Sequence, residues 1–171
     1  GNFIKTNIMI KRIFDFSFSF IGLIVLSPLL FFIFLAIKID SIGPVLFSQK
    51  RVGKDGELFT LVKFRSMNLK QNSNSTTTTH GDVRITKIGE FLRKYKLDEL
   101  PELWNVIKGD MSLVGPRPNV KNETDLYTAE ERRLLSVKPG ITDFSSIVFS
   151  DEGKILADSE DPDLDYNQLI R

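Results

Sequence analysis

The 171-residue chain contains no cysteine and a single histidine, His80. The absence of cysteine excludes a disulfide framework and a thiolate metal site, and it is typical of proteins from reducing compartments. A lone histidine beside a polar loop is more often incidental than a metal ligand, so we leave His80 out of the candidate site. The sequence also lacks internal repeats and the signatures of phosphate-binding loops, dinucleotide-binding folds and zinc sites.

Charge is absent from residues 16–37, a run of 22 residues. At about 1.5 Å per residue, a helix of this length measures roughly 33 Å, which is about the thickness of the hydrocarbon core of a bilayer. The run is longer than the apolar region of a secretory signal, and no small-residue cleavage site follows it. We therefore predict a membrane element that is retained in the mature chain.

Ser27 and Pro28 lie in the middle of this run. Proline removes a helical hydrogen bond and clashes with the carbonyl four residues earlier, so a kink is expected there. Basic residues flank both ends of the run, Lys11 and Arg12 before it and Lys38 after it, so the positive-inside rule gives no orientation. One interpretation is a single-pass helix, which the residues alone favour. The other is a helix-break-helix hairpin in one leaflet, with Ser27 or a neighbour bonding the carbonyls that Pro28 frees.

After the membrane-associated part, residues 1–40, we predict a compact domain of α/β (α+β) class at 41–171. Apolar runs at 45–47 and 58–62 predict two short strands joined by a turn. Residues 88–95 predict an amphipathic helix with a basic polar face. Such a helix would either pack on the domain core or lie on an anionic membrane surface.

Two segments of this domain show no pattern of buried residues. Residues 71–81 are polar and of low complexity, which predicts a flexible loop. Residues 150–171 are acidic and poorly periodic. The chain begins with Gly1 and ends in this acidic segment, and we expect that it is a processed or truncated form.

Basic charge is concentrated in the middle of the chain. Residues 41–122 contain 14 Lys and Arg against 8 Asp and Glu, whereas residues 123–171 contain 5 against 12. A basic middle favours an anionic ligand or anionic lipid head groups, although solvated lysines explain much of such charge. Lys63 and Arg65 stand one residue apart at the end of the second predicted strand, where both would point to the same side. They are candidate phosphate ligands, and solvated strand-end charges are an equally good alternative.

Residues 97–118 carry the strongest chemical signal. A helix is predicted from apolar residues at helical spacing, namely Leu100, Leu103, Trp104 and Ile107. Asp98 and Glu99 therefore lie at a helix start, where unpaired backbone N–H groups favour carboxylates and phosphates. Adjacent positions diverge by about 100° around a helix, so the two carboxylates cannot do the same job. The alternative is that Asp98 is only an N-cap and Glu99 only a partner of the helix dipole.

Arg117 stands between two prolines, Pro116 and Pro118. Proline restricts the residue before it to extended conformations, so the arginine side chain projects from a stiff backbone. A guanidinium held in this way is suited to bidentate phosphate binding. An ordinary turn would have the same sequence.

Eight short motifs occur in one order along the chain. They are KRIFD at 11–15, LSP at 26–28, DSIGPV at 40–45, QKRVG at 49–53, KFRSM at 63–67, RIT at 84–86, LDELP at 97–101 and VGPRP at 114–118. Over roughly residues 8–150 the chain resembles the bacterial sugar transferase family, the monotopic phosphoglycosyl transferases of the small catalytic-core type. One departure is Asp143, which stands where many members have glycine after Gly-Ile-Thr.

The resemblance implies an enzyme that moves a sugar 1-phosphate from a UDP-sugar to undecaprenyl phosphate and releases UMP, an early membrane step in glycoconjugate and polysaccharide assembly. It implies a covalent intermediate on Asp98. Glu99, alone or with Asp98, would hold the cofactor Mg²⁺ or assist the acceptor. Arg117 would bind phosphate, and Arg84, in one of the motifs, joins Lys63 and Arg65 as a candidate.

The resemblance also implies that Ser27 and Pro28 make the membrane helix re-entrant, against the preference from the residues alone. The catalytic domain would then lie at the cytoplasmic face of the bacterial inner membrane, with membrane lipids and the two substrates as partners and no nucleic acid. The sequence leaves open the donor sugar and whether the chain forms a homodimer.

Two functions of other classes stay open. A membrane-anchored, metal-dependent diphosphate hydrolase could use the same acidic and basic residues with water as acceptor. A noncatalytic membrane tether would use the basic residues for lipid binding, and it would keep its function after Asp98→Asn.

Overall fold

The computed structural model describes residues 2–68 and 84–143, with side chains from residue 6 onward. The predicted loop at 71–81 and the acidic segment at 150–171 lie outside the described residues. The helices are α1 Asn2–Asp40, α2 Lys87–Lys94, α3 Glu102–Lys108 and α4 Lys121–Thr124, and 3-10 turns cover Lys54–Gly56, Leu97–Glu99 and Glu131–Ser136. The strands are β1 Leu46–Val52, β2 Leu58–Phe64, β3 Ser112–Val114 and β4 Gly140–Thr142. This content confirms the predicted mixture of helices and strands.

α1 is a helix of 39 residues with Pro28 inside it, and by length and composition it could cross a membrane. The Ser27 hydroxyl donates to the Ile24 carbonyl at 2.7 Å. Ile24 is four residues before Pro28, so its carbonyl is the one that the proline deprives of an amide donor. The helical backbone continues through Pro28, which differs from the predicted helix-break-helix form. Whether the segment re-enters one leaflet stays a prediction.

α1 has an outer face of exposed apolar side chains and an inner face that packs on the rest of the chain. Sixteen large apolar side chains between Ile8 and Leu35 are exposed, and an apolar surface of this extent is typical of contact with lipid or a partner. The inner face contributes Ile33 and Ile37 to a core that also contains Val45, Phe64 and Leu92. The predicted domain boundary at residue 40 coincides with the end of α1, but this core extends across it.

Polar side chains near the start of α1 attach it to two further elements. The Arg12 guanidinium donates to the carbonyls of Val106 and Ile107, at 2.5 and 2.7 Å, at the C-terminal end of α3. The buried Asp15 carboxylate accepts a hydrogen bond of 2.8 Å from the Ser112 hydroxyl at the start of β3. The first part of α1 therefore fixes α3 and β3 relative to each other.

β1 and β2 form the predicted hairpin. They pair antiparallel, from Leu46 opposite Phe64 to Val52 opposite Leu58. Both strands are longer than predicted, because polar residues on their outer positions interrupt the apolar runs without ending the strands. The hairpin packs on α3 through a second core of Phe59, Leu61, Val106 and Met111.

α2 is the predicted amphipathic helix. Its N-cap is Thr86, whose hydroxyl accepts a hydrogen bond of 2.9 Å from the Gly89 N–H. Leu92 is buried in the first core, whereas Phe91 and Tyr95 are exposed. Core packing therefore accounts for one side of α2, and the exposed aromatic side keeps the membrane-surface alternative open.

β3 and β4 pair in parallel, with Ser112 opposite Gly140. A Cβ added to Gly140 would lie 2.1 Å from the backbone nitrogen of Gly115, and one added to Gly115 would lie 2.4 Å from the Lys138 carbonyl oxygen. Real Cβ atoms do not approach backbone atoms so closely, so both positions require glycine. The close approach brings the turn that carries Arg117 beside β4.

Gly140→Ala should separate β3 from β4, because the new methyl group meets backbone atoms that cannot rotate away. We expect a loss of about 1–3 kcal/mol in the free energy of unfolding, measured by denaturant titration in detergent micelles. Gly22→Ala is the control, since its Cβ would lie 3.7 Å from the nearest atom, Leu103 Cδ1. Equal losses in the two variants would contradict the close approach.

Candidate active site

The carboxylates of the predicted site lie where a 3-10 turn leads into α3. The N-cap of the turn is Lys96, in the left-handed region with φ 55°, and the N-cap of α3 is Pro101. Asp98 is therefore not a cap, and the predicted helix start at Asp98 and Glu99 was about one turn too early. Asp98 is 7% exposed, and Glu102, the first residue of α3, is 2% exposed.

Lys63 joins two of these carboxylates. Its Nζ donates to Glu99 Oε1 at 2.7 Å and lies 3.1 Å from Glu102 Oε1. All three side chains are largely buried, so salt screens these contacts less than those of a surface pair. The structure thus brings together Lys63 and Glu99, which the sequence had nominated separately.

Burial and ion pairing act in opposite directions on this cluster. Burial is the largest single influence on Glu99 and opposes its charge, but Lys63, Arg117 and Lys96 together outweigh burial and hold the pKa of Glu99 below its ordinary value. At Glu102 burial prevails over Lys63 and raises the pKa to about 7. Burial also opposes the charge on Lys63, but Glu102 and Glu99 outweigh it and raise the pKa of Lys63. At neutral pH the cluster contains a cationic Lys63, an ionised Glu99 and a partly protonated Glu102.

Asp98 has a different environment from its neighbour. Burial raises the pKa of Asp98, the nearby Lys63 opposes that rise, and Glu99 adds to it. The pKa is thus raised at Asp98 and lowered at Glu99. This difference agrees with the expectation that adjacent side chains point in different directions.

A pocket opens beside Lys63, Glu99 and Glu102. The rest of its lining consists of Arg51, Leu61, Arg117, Pro118, Gly140 and Ile141. Three basic side chains thus face two acidic ones, one of which is partly protonated. Such a pocket attracts an anion with more than one negative charge, and its guanidinium groups suit phosphate oxygens.

Arg117 is exposed on the turn after β3. Its backbone N–H donates to Asp143 Oδ2 at 3.2 Å. Asp143 is the position at which the sequence departs from the family pattern, and here it helps to hold this turn. The structure therefore brings the predicted Arg117 to the same pocket as Glu99 and Lys63.

Arg65 and Arg84 are not among the described residues that line this pocket. The Arg65 side chain is buried and donates to the carbonyls of Ser41 and Ile42 at 2.7 and 2.9 Å, which fixes the segment after α1. The Arg84 carbonyl accepts a hydrogen bond of 2.8 Å from the Asn68 N–H. Phosphate binding by either arginine stays a prediction.

Sequence reasoning missed Glu102 and Arg51. Glu102 follows Asp98 by four residues and Glu99 by three, a spacing that places helical side chains on one face, so this signal could have revealed it. Arg51 reaches the site through a contact of 3.3 Å with the Pro118 carbonyl, 67 residues away in the chain. No local pattern indicates such a contact.

A magnesium ion that binds together with a substrate could take a protein ligand from the carboxylates of this site, and Mg²⁺ binding itself stays a prediction. Carboxylate oxygens are preferred ligands of Mg²⁺, which commonly takes one or two of them and completes its coordination with water and substrate phosphates. Within the part of the chain that the structure describes, three acidic or histidine side chains do not converge on one point. Glu99, the carboxylate that stays ionised, is the best ligand that these residues offer.

Glu102 should make stability depend on pH. Its pKa is about 7 in the folded protein against an ordinary value of 4.5. The folded state therefore binds the proton more tightly, so this stabilisation is complete below pH 4.5 and is lost as the pH rises through about 7. At about 1.4 kcal/mol per unit, the difference between these values corresponds to about 3 kcal/mol.

Between about pH 4.5 and pH 8, Glu102 should cost the wild-type chain about 3 kcal/mol in free energy of unfolding. The Glu102→Gln variant should not show this loss. Denaturant titrations of both proteins in detergent at these two pH values check this. Glu90→Gln, on the exposed side of α2, should keep the wild-type pH dependence. If Glu102→Gln showed the wild-type pH dependence, the raised pKa of Glu102 would be contradicted.

Comparison with known proteins places these features in a family. The sequence matches the family described as Bacterial sugar transferase over residues 6–170. It is 42% identical over 145 residues to the UDP-glucose:undecaprenyl-phosphate glucose-1-phosphate transferase of Klebsiella pneumoniae, which covers 82% of this chain and 31% of that protein. It is 40% identical over 144 residues to the UDP-N-acetylgalactosamine-undecaprenyl-phosphate N-acetylgalactosaminephosphotransferase of Aeromonas hydrophila, with shares of 81% and 34%.

A third relative is the undecaprenyl-phosphate galactose phosphotransferase of Salmonella typhimurium, 38% identical over 154 residues, with shares of 81% and 32%. The chain spans about a third of the length of these curated relatives. The family match, in contrast, extends over nearly the whole chain. This chain therefore belongs to the bacterial sugar transferase family.

Proposed function

We propose that this chain transfers a sugar 1-phosphate from a UDP-sugar to undecaprenyl phosphate and releases UMP. The observation that carries the proposal is the pocket in which Arg51, Lys63 and Arg117 surround an ionised Glu99. Both substrates present phosphate groups, so a transferase between them needs cations fixed where negative charge converges. The names of the three relatives, which include undecaprenyl phosphate, support this acceptor.

Asp98 is the proposed nucleophile. One of its carboxylate oxygens attacks the sugar-proximal phosphorus of the donor and forms a phosphorus–oxygen bond, while the bond from that phosphorus to the bridging oxygen breaks and UMP leaves. In the second step a phosphate oxygen of the polyprenol phosphate attacks the same phosphorus, and Asp98 leaves as a carboxylate. Two steps allow a water-soluble donor and a lipid acceptor to bind in turn.

Asp98 itself is not among the described residues that line the pocket, and the side chains that do line it have complementary tasks. Attack by a carboxylate on a diphosphate brings like charges together, so Arg117 and Lys63 must neutralise phosphate oxygens first. Lys63 is already oriented by Glu99 and Glu102 before a substrate binds. Mg²⁺ held by Glu99 would supply further neutralisation of the phosphate oxygens when it is bound.

α1 is the proposed anchor of this site at the cytoplasmic face of the bacterial inner membrane. Its length and its exposed apolar face support insertion into lipid. A re-entrant path would leave both of its ends on the side where UDP-sugars are made. Phe91, Tyr95 and Trp104 are exposed on α2 and α3, and aromatic side chains of this kind favour the membrane–water interface.

The proposal is tested by incubating the detergent-purified chain with Mg²⁺ and one UDP-sugar without acceptor. The relatives' names specify glucose, galactose and N-acetylgalactosamine, so the UDP derivatives of these sugars are the first donors to test. We expect the intact mass to rise by one sugar phosphate and to return to its original value when undecaprenyl phosphate is added. Donor cleavage without an adduct or acceptor would indicate a hydrolase, and no turnover of any donor would favour a tether.

A further inference from the structure

Asn105 is a neutral side chain, 0% exposed, in the face of α3 that meets β2. Its Oδ1 accepts a hydrogen bond of 3.1 Å from the Val62 N–H, and its Nδ2 donates to the Thr60 carbonyl at 2.7 Å. The same Nδ2 lies 3.2 Å from Asp110 Oδ2. One amide thus binds the backbone groups on both sides of Leu61.

These contacts replace those of a neighbouring strand. In an antiparallel pair, alternate residues direct their N–H and C=O groups to the partner strand, and the residues between them direct theirs outward. Thr60 and Val62 are two residues apart on β2, and both turn their backbone groups to Asn105. The amide therefore fixes the position of α3 along the edge of β2.

The charged cluster lies on the same two elements. Lys63 directly follows Val62 on β2, and Glu102 lies one turn before Asn105 on α3. A slip of one residue along a strand moves each side chain by about 3.3 Å and turns it to the opposite face. Such a slip would break the contacts of 2.7 and 3.1 Å that Lys63 makes with Glu99 and Glu102.

We propose that Asn105 is a positioning residue of the active site, whose amide holds β2 and α3 in the register that places Lys63 between Glu99 and Glu102. Its importance for transfer rests on the proposed function, whereas the register itself can be measured without substrate. The Asn105 amide is buried with both of its polar atoms bonded, and an apolar residue in its place would leave the partly buried Val62 N–H and Thr60 carbonyl without these partners.

The register is tested by the chemical accessibility of Lys63. The full chain in detergent micelles is treated with an amine-reactive ester, and acylation of Lys63 is quantified by peptide mass spectrometry relative to the exposed Lys87. Asn105→Ala should raise the relative acylation rate of Lys63 about tenfold, the scale expected when a buried hydrogen-bonded lock is lost. An unchanged rate would overturn the proposal.

Asn119→Ala is the matched control. Asn119 is also a buried amide, but its Nδ2 donates to the Tyr127 hydroxyl at 3.0 Å. This variant truncates a buried amide of the same size away from β2 and α3, and the Lys63 acylation rate should stay at the wild-type value. An equal rise in both variants would mean that general loosening exposes Lys63, which would overturn the specific role of Asn105.

Asn105→Asp keeps the test decisive if Asn105→Ala does not fold. A carboxylate still accepts from the Val62 N–H, but only its protonated form can donate to the Thr60 carbonyl. Protection of Lys63 relative to Lys87 should therefore fall further between about pH 5 and about pH 8 in this variant than in the wild-type chain, where Glu102 titrates over the same interval. A pH dependence equal to that of the wild-type chain would overturn the proposal.

Transfer assays then separate this proposal from the proposed function. Asn105→Ala should lower kcat for transfer about a hundredfold, with a smaller change in KM, because a displaced Lys63 is missing where charge develops. The wild-type chain could lack transfer activity while Asn105→Ala still raises the acylation rate of Lys63. That result would contradict the proposed function and support the role of Asn105 in the register of β2 and α3.

Discussion

Asp98→Asn should abolish the sugar-phosphate adduct and lower the transfer rate by at least about a thousandfold, the scale seen when a nucleophile is removed. An amide oxygen lacks the charge and the basicity of a carboxylate, so it cannot form the bond to phosphorus. Asparagine has the same shape, and Asp98 is 7% exposed in a site where burial already opposes its charge. We therefore expect the variant to fold, and intact mass together with UMP release measures the loss.

The control for this substitution is Asp125→Asn. Asp125 is an exposed aspartate at the end of α4, in an ion pair of 2.7 Å with Lys121. The Asp125→Asn variant should form the sugar-phosphate adduct at the wild-type rate. An adduct that persists in Asp98→Asn would rule out the nucleophile assignment and leave Glu99 and Glu102 as the next carboxylates to test.

Lys63→Met should lower the free energy of unfolding by about 3–5 kcal/mol, because it removes the cation that two largely buried carboxylates share. Methionine has nearly the same length without the charge, so packing is mostly retained. The loss should increase as the pH rises, since Glu99 must then ionise without its partner. Denaturant titrations at about pH 5 and about pH 8 measure both the size and the sign of this effect.

A double variant tests whether the shared cation is the cause. Adding Glu102→Gln to Lys63→Met should recover part of the lost stability, because one of the two uncompensated carboxylates is removed. Lys121→Met is the control, since its partner Asp125 is more than half exposed and such surface pairs contribute about 0–1 kcal/mol. Equal losses in the two lysine variants would contradict the buried cluster.

Local spacing predicted the elements around the site but not the charges that meet there. The helix α3 and the hairpin are consequences of periodicity and turn residues within short windows. The pair of Lys63 and Glu99, 36 residues apart, depends on packing of the hairpin against α3. That packing is a property of the whole fold, and no short window of sequence contains it.

Arg65 lies just beyond the strand in which alternating side-chain directions can be predicted. Two residues apart on a strand point to the same side, which predicted a shared task for Lys63 and Arg65. β2 ends at Phe64, so the rule no longer determines the direction of Arg65, whose guanidinium binds the segment after α1. For Asp98 and Glu99, in contrast, helical divergence was enough to predict different environments, although the nucleophile role of Asp98 comes from resemblance.

The core that α1 shares with the rest of the chain has a consequence for the order of events during synthesis. Ile33 and Ile37 precede their buried partners Val45, Phe64 and Leu92 in the chain, so they leave the ribosome first. Their side of the helix therefore stays uncovered until those partners have been made. Placement of α1 is therefore a step in the folding of the rest of the chain, because this helix supplies two of the five buried side chains of that core.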